Sequence, residues 1–328
     1  MNPKRRDVGL TAFALTLMLS CLSGPALAQD YPSKPIHFVL AQPAGGAVDL
    51  VSRALAERLS EFFQQPVIVE NQPGGNGGVA GGQVARAAPD GHTLFMAVDN
   101  NLTVNPHIYP NLAYKPLTDF APVSVVSRSP LVLTTSLSLK ADTISELVAL
   151  AKASPGKLNY ASTGIGGQPH MGMELFKLMT KTQITHVPYR GTPQAMTDLI
   201  AGVVDLFLIG QSSAKAQVGG RMKMMVITSP KRSPLMPDLP TMEEAGVPGY
   251  ELSAWFGLLA PAKTPQHVID VLARAVKKAA ADPKFVTALA PQGMEIIASS
   301  PDEMAATLKA DTVKWGEVVT ATGVKIDP

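Results

Sequence analysis

The chain has 328 residues, with 28 lysines and arginines against 26 aspartates and glutamates, and a single cysteine, Cys21. So even a charge balance gives no footprint for nucleic acid or an anionic membrane surface, and one cysteine excludes a disulfide framework or a cysteine–zinc site. The length suits two lobes as a first expectation and a core that needs no covalent staples.

Lys4, Arg5 and Arg6 precede an apolar run from Leu10 to Leu22 and then Ala26-Leu27-Ala28. This is the layout of a secretory signal peptide, residues 1–28, cut before Gln29. The run is shorter than the roughly 20 apolar residues that span a bilayer. Cys21 falls inside the segment, and Met18-Leu19-Ser20 before it makes a poor lipidation signal. An exported chain is therefore expected, with no cysteine left after cleavage and equal numbers of acidic and basic residues.

From there strands and helices alternate. Ile36–Leu40 reads as a strand and Asp49–Phe63 as a helix with Val51, Leu55, Leu59 and Phe62 on one face. Val67–Val69 and Thr93–Val98 read as strands around a helix at Val79–Ala88. Val123–Val126 and Leu131–Thr135 are two further strand segments. Thr143-Ile144-Ser145-Glu146 is a capping box opening a helix to Ala153. Leu158–Ala161 and Ile184–Val187 are strands on either side of a helix at His170–Thr180, and Pro193 suits the first turn of the next helix. Val203–Ile209, Met224–Thr228 and Ala254–Ala260 read as extended. Two C-terminal helices start at Thr264-Pro265 and at Ser300-Pro301-Asp302-Glu303. The rhythm predicts an α/β fold with mostly parallel, helix-covered sheets. The chain is expected to cross between lobes near Leu131–Thr135 and Ser253–Leu259.

Four turns between strand and helix carry glycine. They are Pro43-Ala44-Gly45-Gly46-Ala47-Val48-Asp49, Pro73-Gly74-Gly75-Asn76-Gly77-Gly78, Ser162-Thr163-Gly164-Ile165-Gly166-Gly167, and Tyr189-Arg190-Gly191-Thr192-Pro193. Ligands of open α/β sheets bind outside the carboxyl ends of strands, where such turns lie. Free N–H groups at helix starts favour an anion. A single turn of this kind is explained by chain reversal alone; four spread over two lobes are better explained by one small anion between them. Asp49 reads first as a helix cap, His170 as the start of its helix, and Arg190 as a solvated turn residue that also suits bidentate carboxylate binding.

Two rival chemistries are spelled weakly. Gly75-x-Gly77-x-x-Ala80, with Asp99 ending the next strand, resembles a dinucleotide fingerprint, but Asn71-Gln72-Pro73-Gly74 make its loop too long. Gly210-Gln211-Ser212-Ser213-Ala214 approximates a nucleophile elbow, with His267 and either Asp238 or Glu243 to complete an esterase-like hydrolase; the final glycine is missing. No turn ends in Gly-Lys-Ser/Thr. The six histidines have no metal-ligand spacing. No cofactor and no metal are expected.

In order, "PAGGAVD", "VIVENQPGGNGGVA", "APDGHTL", "NYASTGIGGQPHM", "HVPYRGTPQAMTDLIAG", "PDLPTMEEAGVPGYELSAWFGLLAPAKTP" and "WGEVVTATGVKI" resemble the Bug family. These are the TctC-type extracytoplasmic solute receptors of tripartite tricarboxylate transporters. The resemblance spans Tyr31 to Ile326. It implies a type II periplasmic-binding-protein fold, with residues 29–131 and 253–328 in lobe 1 and 132–252 in lobe 2. It also implies a non-enzymatic, monomeric periplasmic receptor that takes a carboxylic acid or amino acid into the interlobe cleft and serves an integral-membrane permease. Carried over, the ligand-binding positions are Ala44, Gly45, Gly46 and Asp49 in the first turn, then Ser162, Thr163, Gly164 and His170. Tyr189, Arg190 and Asp205 line the same cleft. The sequence departs from the family pattern at Ala41-Gln42, where Pro-aromatic is usual, at Gln168-Pro169, and at Ile209-Gly210. Gln42 is therefore the residue expected to set this chain's own specificity.

Overall fold

The apolar periodicity dictates alternation of strand and helix, and the computed structural model, which describes residues 31–216 and 220–326, has that alternation. The expected signal segment, its cleavage after Ala28 and Cys21 lie outside the described residues. The first stretch runs β1 (Ile36–Leu40), α1 (Ala47–Phe63), β2 (Val67–Asn71), α2 (Gly78–Ala85), β3 (Thr93–Val98), three short helices α3 (Asp99–Thr103), α4 (Asn105–Ile108) and α5 (Pro116–Asp119), then β4 (Phe120–Thr135). The second runs α6 (Ile144–Ala153), β5 (Asn159–Ser162), α7 (Gln168–Thr180), β6 (Thr185–Pro188), α8 (Thr192–Ala201), β7 (Leu206–Gly210), α9 (Gln211–Lys215) and β8 (Lys223–Ile227). The chain closes with β9 (Ser253–Pro261), α10 (Gln266–Ala280), α11 (Pro283–Leu289), β10 (Glu295–Ile296) and α12 (Pro301–Thr322).

Local chemistry fixes many of these ends. Thr143 caps α6 by accepting from the Glu146 amide, and Ser300 with Glu303 forms the capping box of α12. Gly202 stops α8 in the left-handed conformation. That stop is why the strand expected from Val203 begins only at Leu206: the amides of Val203 and Val204 still bond back to Asp198.

The strand order is β2-β1-β3-β9-β4-β7-β5-β6, with β8 and β10 also paired to β4. β1 runs parallel to β2 (Leu40 opposite Asn71) and to β3 (Leu40 opposite Met96). Likewise β5 runs parallel to β6 (Ser162 opposite Pro188) and to β7 (Ala161 opposite Phe207). Register alone thus sets the glycine turns after β1 and β2 along one sheet edge, and those after β5 and β6 along another.

The two parallel groups meet through β4. Its first part, to Pro130, pairs antiparallel with β9, and residues 131–135 pair with β7 and β8. The sequence showed two strand segments here; the structure has one strand of 16 residues. Ser127-Arg128-Ser129-Pro130 lack an apolar pattern, and their extension comes from pairing with Phe256, Trp255, Ala254 and Ser253. Helices cover both faces, and buried clusters centred on Phe95 and Trp255, on Tyr160 and Phe176, and on Phe207 form the core. No helix among the described residues is long and apolar enough to cross a membrane.

Candidate functional site

The first turn lies exposed at the end of β1, from Pro43 to Ala47. Gly45 has φ +88°, a conformation that side chains resist. Gly46 is different. Its φ is −77°, and an added Cβ would find nothing nearer than the Pro43 carbonyl at 3.8 Å. The chain's own packing therefore does not require glycine at 46.

Asp49 sits beneath this turn, only 3% exposed. Its carboxylate accepts from the Gly45 amide at 2.9 Å, from Arg53 Nε and Nη2 at 3.0 and 2.9 Å, and from Asn71 Nδ2 at 3.0 Å. The Arg53 guanidinium beside it holds the carboxyl below the usual carboxylate range. Asn71 Nδ2 also reaches the Gln42 carbonyl at 3.0 Å, and Arg53 Nη2 reaches Asn71 Oδ1 at 3.1 Å. Asp49 is therefore the anchor that shapes the turn, and Asn71, which sequence reasoning missed, is its second tie.

The second turn follows β5. Ser162 is fully buried; its Oγ accepts from the Gly164 amide at 3.1 Å and lies 2.6 Å from His186 Nε2. The Gly166 amide donates to His170 Nδ1 at 3.1 Å, so the His170 proton resides on Nε2. The His170 and His186 rings stack at 4.0 Å, with Tyr160 stacked on His186 at 5.0 Å. Behind them the Tyr160 hydroxyl donates to Glu174 Oε1 at 2.5 Å, and Lys177 Nζ donates to the same oxygen at 2.6 Å. Burial pushes His170 down to about 3 and His186 down to about 4, the latter against the opposing pull of Glu174. Both rings are neutral at neutral pH. His170, like Asp49, shapes its turn from inside. Thr163 and Gly164 form the outer part of the turn, with Thr163 exposed.

The third turn is tied to the second, because the Tyr189 amide donates to the Ser162 carbonyl at 2.9 Å. The Tyr189 hydroxyl donates to Asp198 at 2.7 Å. Arg190 is exposed and makes none of the ion pairs among the described residues. Asp205 is placed elsewhere. It immediately precedes β7, where its Oδ2 accepts from the Asn159 amide at 2.8 Å and its own amide donates to Asn159 Oδ1 at 3.0 Å. Asn159 stands three residues before Ser162, roughly 10 Å along the strand, so Asp205 serves the opposite end of the sheet.

What brings the first two turns together is α3, which the sequence pattern did not reveal. Gln42 Nε2 donates to Asn101 Oδ1 at 3.1 Å. From the other side Gln168 Nε2 donates to the Asp99 carboxylate, and Asn100 Nδ2 donates to the Gly166 carbonyl at 3.4 Å. Asp99 is 3% exposed, and burial raises its pKa well above the usual carboxylate range, with Asp311 adding to the effect. The carbonyl oxygens of both glutamines are buried without a partner. Behind Asp99 lies a cavity of about 310 Å³ bounded by Trp255, Asp311 and Lys314.

The rival motifs find no such support. A Cβ at Gly77 would lie 2.7 Å from Asn101 Nδ2, so that fingerprint glycine serves the chain's own packing. Ser212 lies on α9, and no hydrogen bond among the described residues joins it to His267. No group of three or more histidine, cysteine, aspartate or glutamate side chains among the described residues is arranged to hold a metal.

Comparison with known proteins points one way. The pattern described as "Tripartite tricarboxylate transporter family receptor" matches residues 51–324. Protein BugT of Bordetella pertussis is 34% identical over 319 residues, covering 97% of this chain and 98% of BugT. The structure of R. palustris Rpa4515 with adipate is 32% identical, with TM-score 0.80, covering 90% of this chain and all of that one. MatC from Rhodopseudomonas palustris with bound malate is 31% identical, with TM-score 0.76, covering 88% of this chain and all of MatC.

Proposed function

The chain belongs to the tripartite tricarboxylate transporter receptor family and has the two-lobed α/β fold of its periplasmic binding proteins, and from that premise we propose that it is a non-enzymatic periplasmic receptor for a small carboxylate. The ligand bridges the turn at Ala44–Gly46 and the turn at Ser162–Gly164, with Gln42, Thr163, Tyr189 and Arg190 around it and Asp49 and His170 shaping the two turns. Residues 29–131 and 253–328 form one lobe and 132–252 the other. The loaded receptor then meets a membrane permease of the tripartite tricarboxylate type. Two relatives carry dicarboxylates in their structures, adipate and malate, which supports the ligand class.

The observation that carries this reading is the convergence of both turns on residues 99–101, through Gln42 to Asn101 and through Gln168 to Asp99. A ligand placed between the turns touches both lobes and favours the closed arrangement by its differential affinity. Gly46→Val tests it. The space above Gly46 lets the variant fold, so the thermal midpoint should stay while the best-bound of a malate, succinate, adipate and aspartate panel loses affinity by more than about tenfold in calorimetry. Unchanged tight binding by the variant would remove the first turn from the site.

A further inference from the structure

A second cavity, of about 560 Å³, shares no wall residue with 42–49 or 162–170. It is built from Arg128 and Pro130 on β4, Ser253 on β9, Gln211 at the start of α9, the loop 229–235, Ala290, Gly293 and Met294 before β10, and Glu295 on it. Its size falls in the range of small-molecule pockets. Pro130, Pro234, Leu235 and Met294 give it an apolar body.

Its polar groups are left open in a way the rest of the fold does not require. Gln211 is 1% exposed, and its Nε2 donates to the Gly293 carbonyl at 2.8 Å. A carbonyl only accepts, so the amide orientation is fixed and Oε1 is buried without a partner. Arg128 Nε is also buried without a partner, and Arg128 Nη1 stands 3.8 Å from Glu251, beyond hydrogen-bond length. Arg232 is already ion-paired, its Nε donating to both oxygens of Glu244 and its Nη1 to the Pro237 carbonyl. Lys231 is exposed and makes none of the ion pairs among the described residues. Arg128 and Lys231 therefore border an apolar hollow with donors still open, against Glu295 in the wall and Glu251 at 3.8 Å from Arg128.

We propose that this cavity is a second ligand site, for a carboxylate with an apolar or aromatic body. Arg128 and Lys231 take the carboxylate, and Pro234, Leu235 and Met294 enclose the body. Because β4 and β9 form part of the wall, the occupant contacts the strands that join the two parallel groups, and its binding is coupled to their relative arrangement.

Benzoate is the probe, with acetate lacking the body and benzyl alcohol lacking the charge. Calorimetry on the mature chain should show benzoate binding at one site. Acetate and benzyl alcohol should each be weaker by about tenfold or more. Lys231→Glu, an exposed change, should weaken benzoate by about tenfold and leave the malate or adipate affinity of the cleft as it was. Gly46→Val should do the reverse. No benzoate binding, equal binding of acetate, or benzoate loss in Gly46→Val with Lys231→Glu unaffected would each overturn the proposal. Failure of every dicarboxylate while benzoate still responds to Lys231→Glu would instead sink the cleft reading and leave this one standing.

Discussion

The two glycine turns present bare backbone in similar ways but are held by opposite chemistry. At Gly45–Gly46 the support is ionic and local: Asp49, four residues on, gathers the turn amide, Arg53 and Asn71. At Ser162–Gly166 the support is neutral, aromatic and buried: His170 accepts from the turn, His186 holds Ser162, and Tyr160 backs both rings. Arg53 keeps about half its side chain in water, so the first support can relax around a change. The second, with Tyr160, Ser162 and His170 buried, has less room to do so.

Breaking the second support should therefore cost most. Tyr160→Ala removes a fully buried ring and leaves Glu174 without its hydroxyl donor. It should destabilise the chain by about 3–5 kcal/mol, the range for deleting a large buried aromatic side chain. Urea unfolding is the check, and a loss below about 1 kcal/mol would mean that the stack is not a packed unit.

Asp49→Ala should cost less in stability, about 2 kcal/mol for lost hydrogen bonds to a charged group, yet more in ligand affinity than in folding. Measured together, an affinity loss no larger than the stability loss would show that Asp49 supports the fold generally and not the turn.

The smallest effect sharpens the contrast through pH. His170 and His186 have folded pKa values of about 3 and about 4, below the unfolded value near 6.5. Between these limits the unfolded chain binds more protons, so both histidines make stability fall as pH drops from about 6.5 towards 4. Asp99, with its raised pKa, gives a slope of opposite sign in the same window, since its folded form holds the proton longer. Asp49, whose pKa is depressed, loses its contribution only below the ordinary carboxylate range. A comparison of His186→Gln with the parent cancels both acids. The variant should lose stability less steeply between pH 6.5 and 4, and equal slopes would place His186 outside the buried stack.

Much of this was legible from residues alone. Most predicted strands and helices match in kind, and all four glycine turns fall between strand and helix as expected. The misses share a cause. Ser127-Arg128-Ser129-Pro130 carry no strand pattern, and their conformation is imposed by β9. The helices α3 to α5 are too short to show a period. His186 was passed over because its partner, His170, is 16 residues away in sequence and becomes a neighbour only through the parallel register that sets Tyr160 opposite His186. Thr185–Pro188 is four residues long and its burial does not alternate, so no local signal gave that register.

The sequence by itself determined where the chain turns and which turns expose backbone N–H groups, because glycine, proline and helix caps act within a few residues. Even Asp49 beneath its turn follows from that rule, since Gly45 is four positions away. Only the tertiary structure decided what the turns face. Asp99 and Gln168 are 69 residues apart, and Gln42 and Asn101 are 59 apart. Gln42 and Asn101 meet through the direct pairing of β1 with β3, whereas Asp99 and Gln168 meet only after two sets of parallel strands have been joined through β4 and β9. No local preference encodes that meeting; burial and register do.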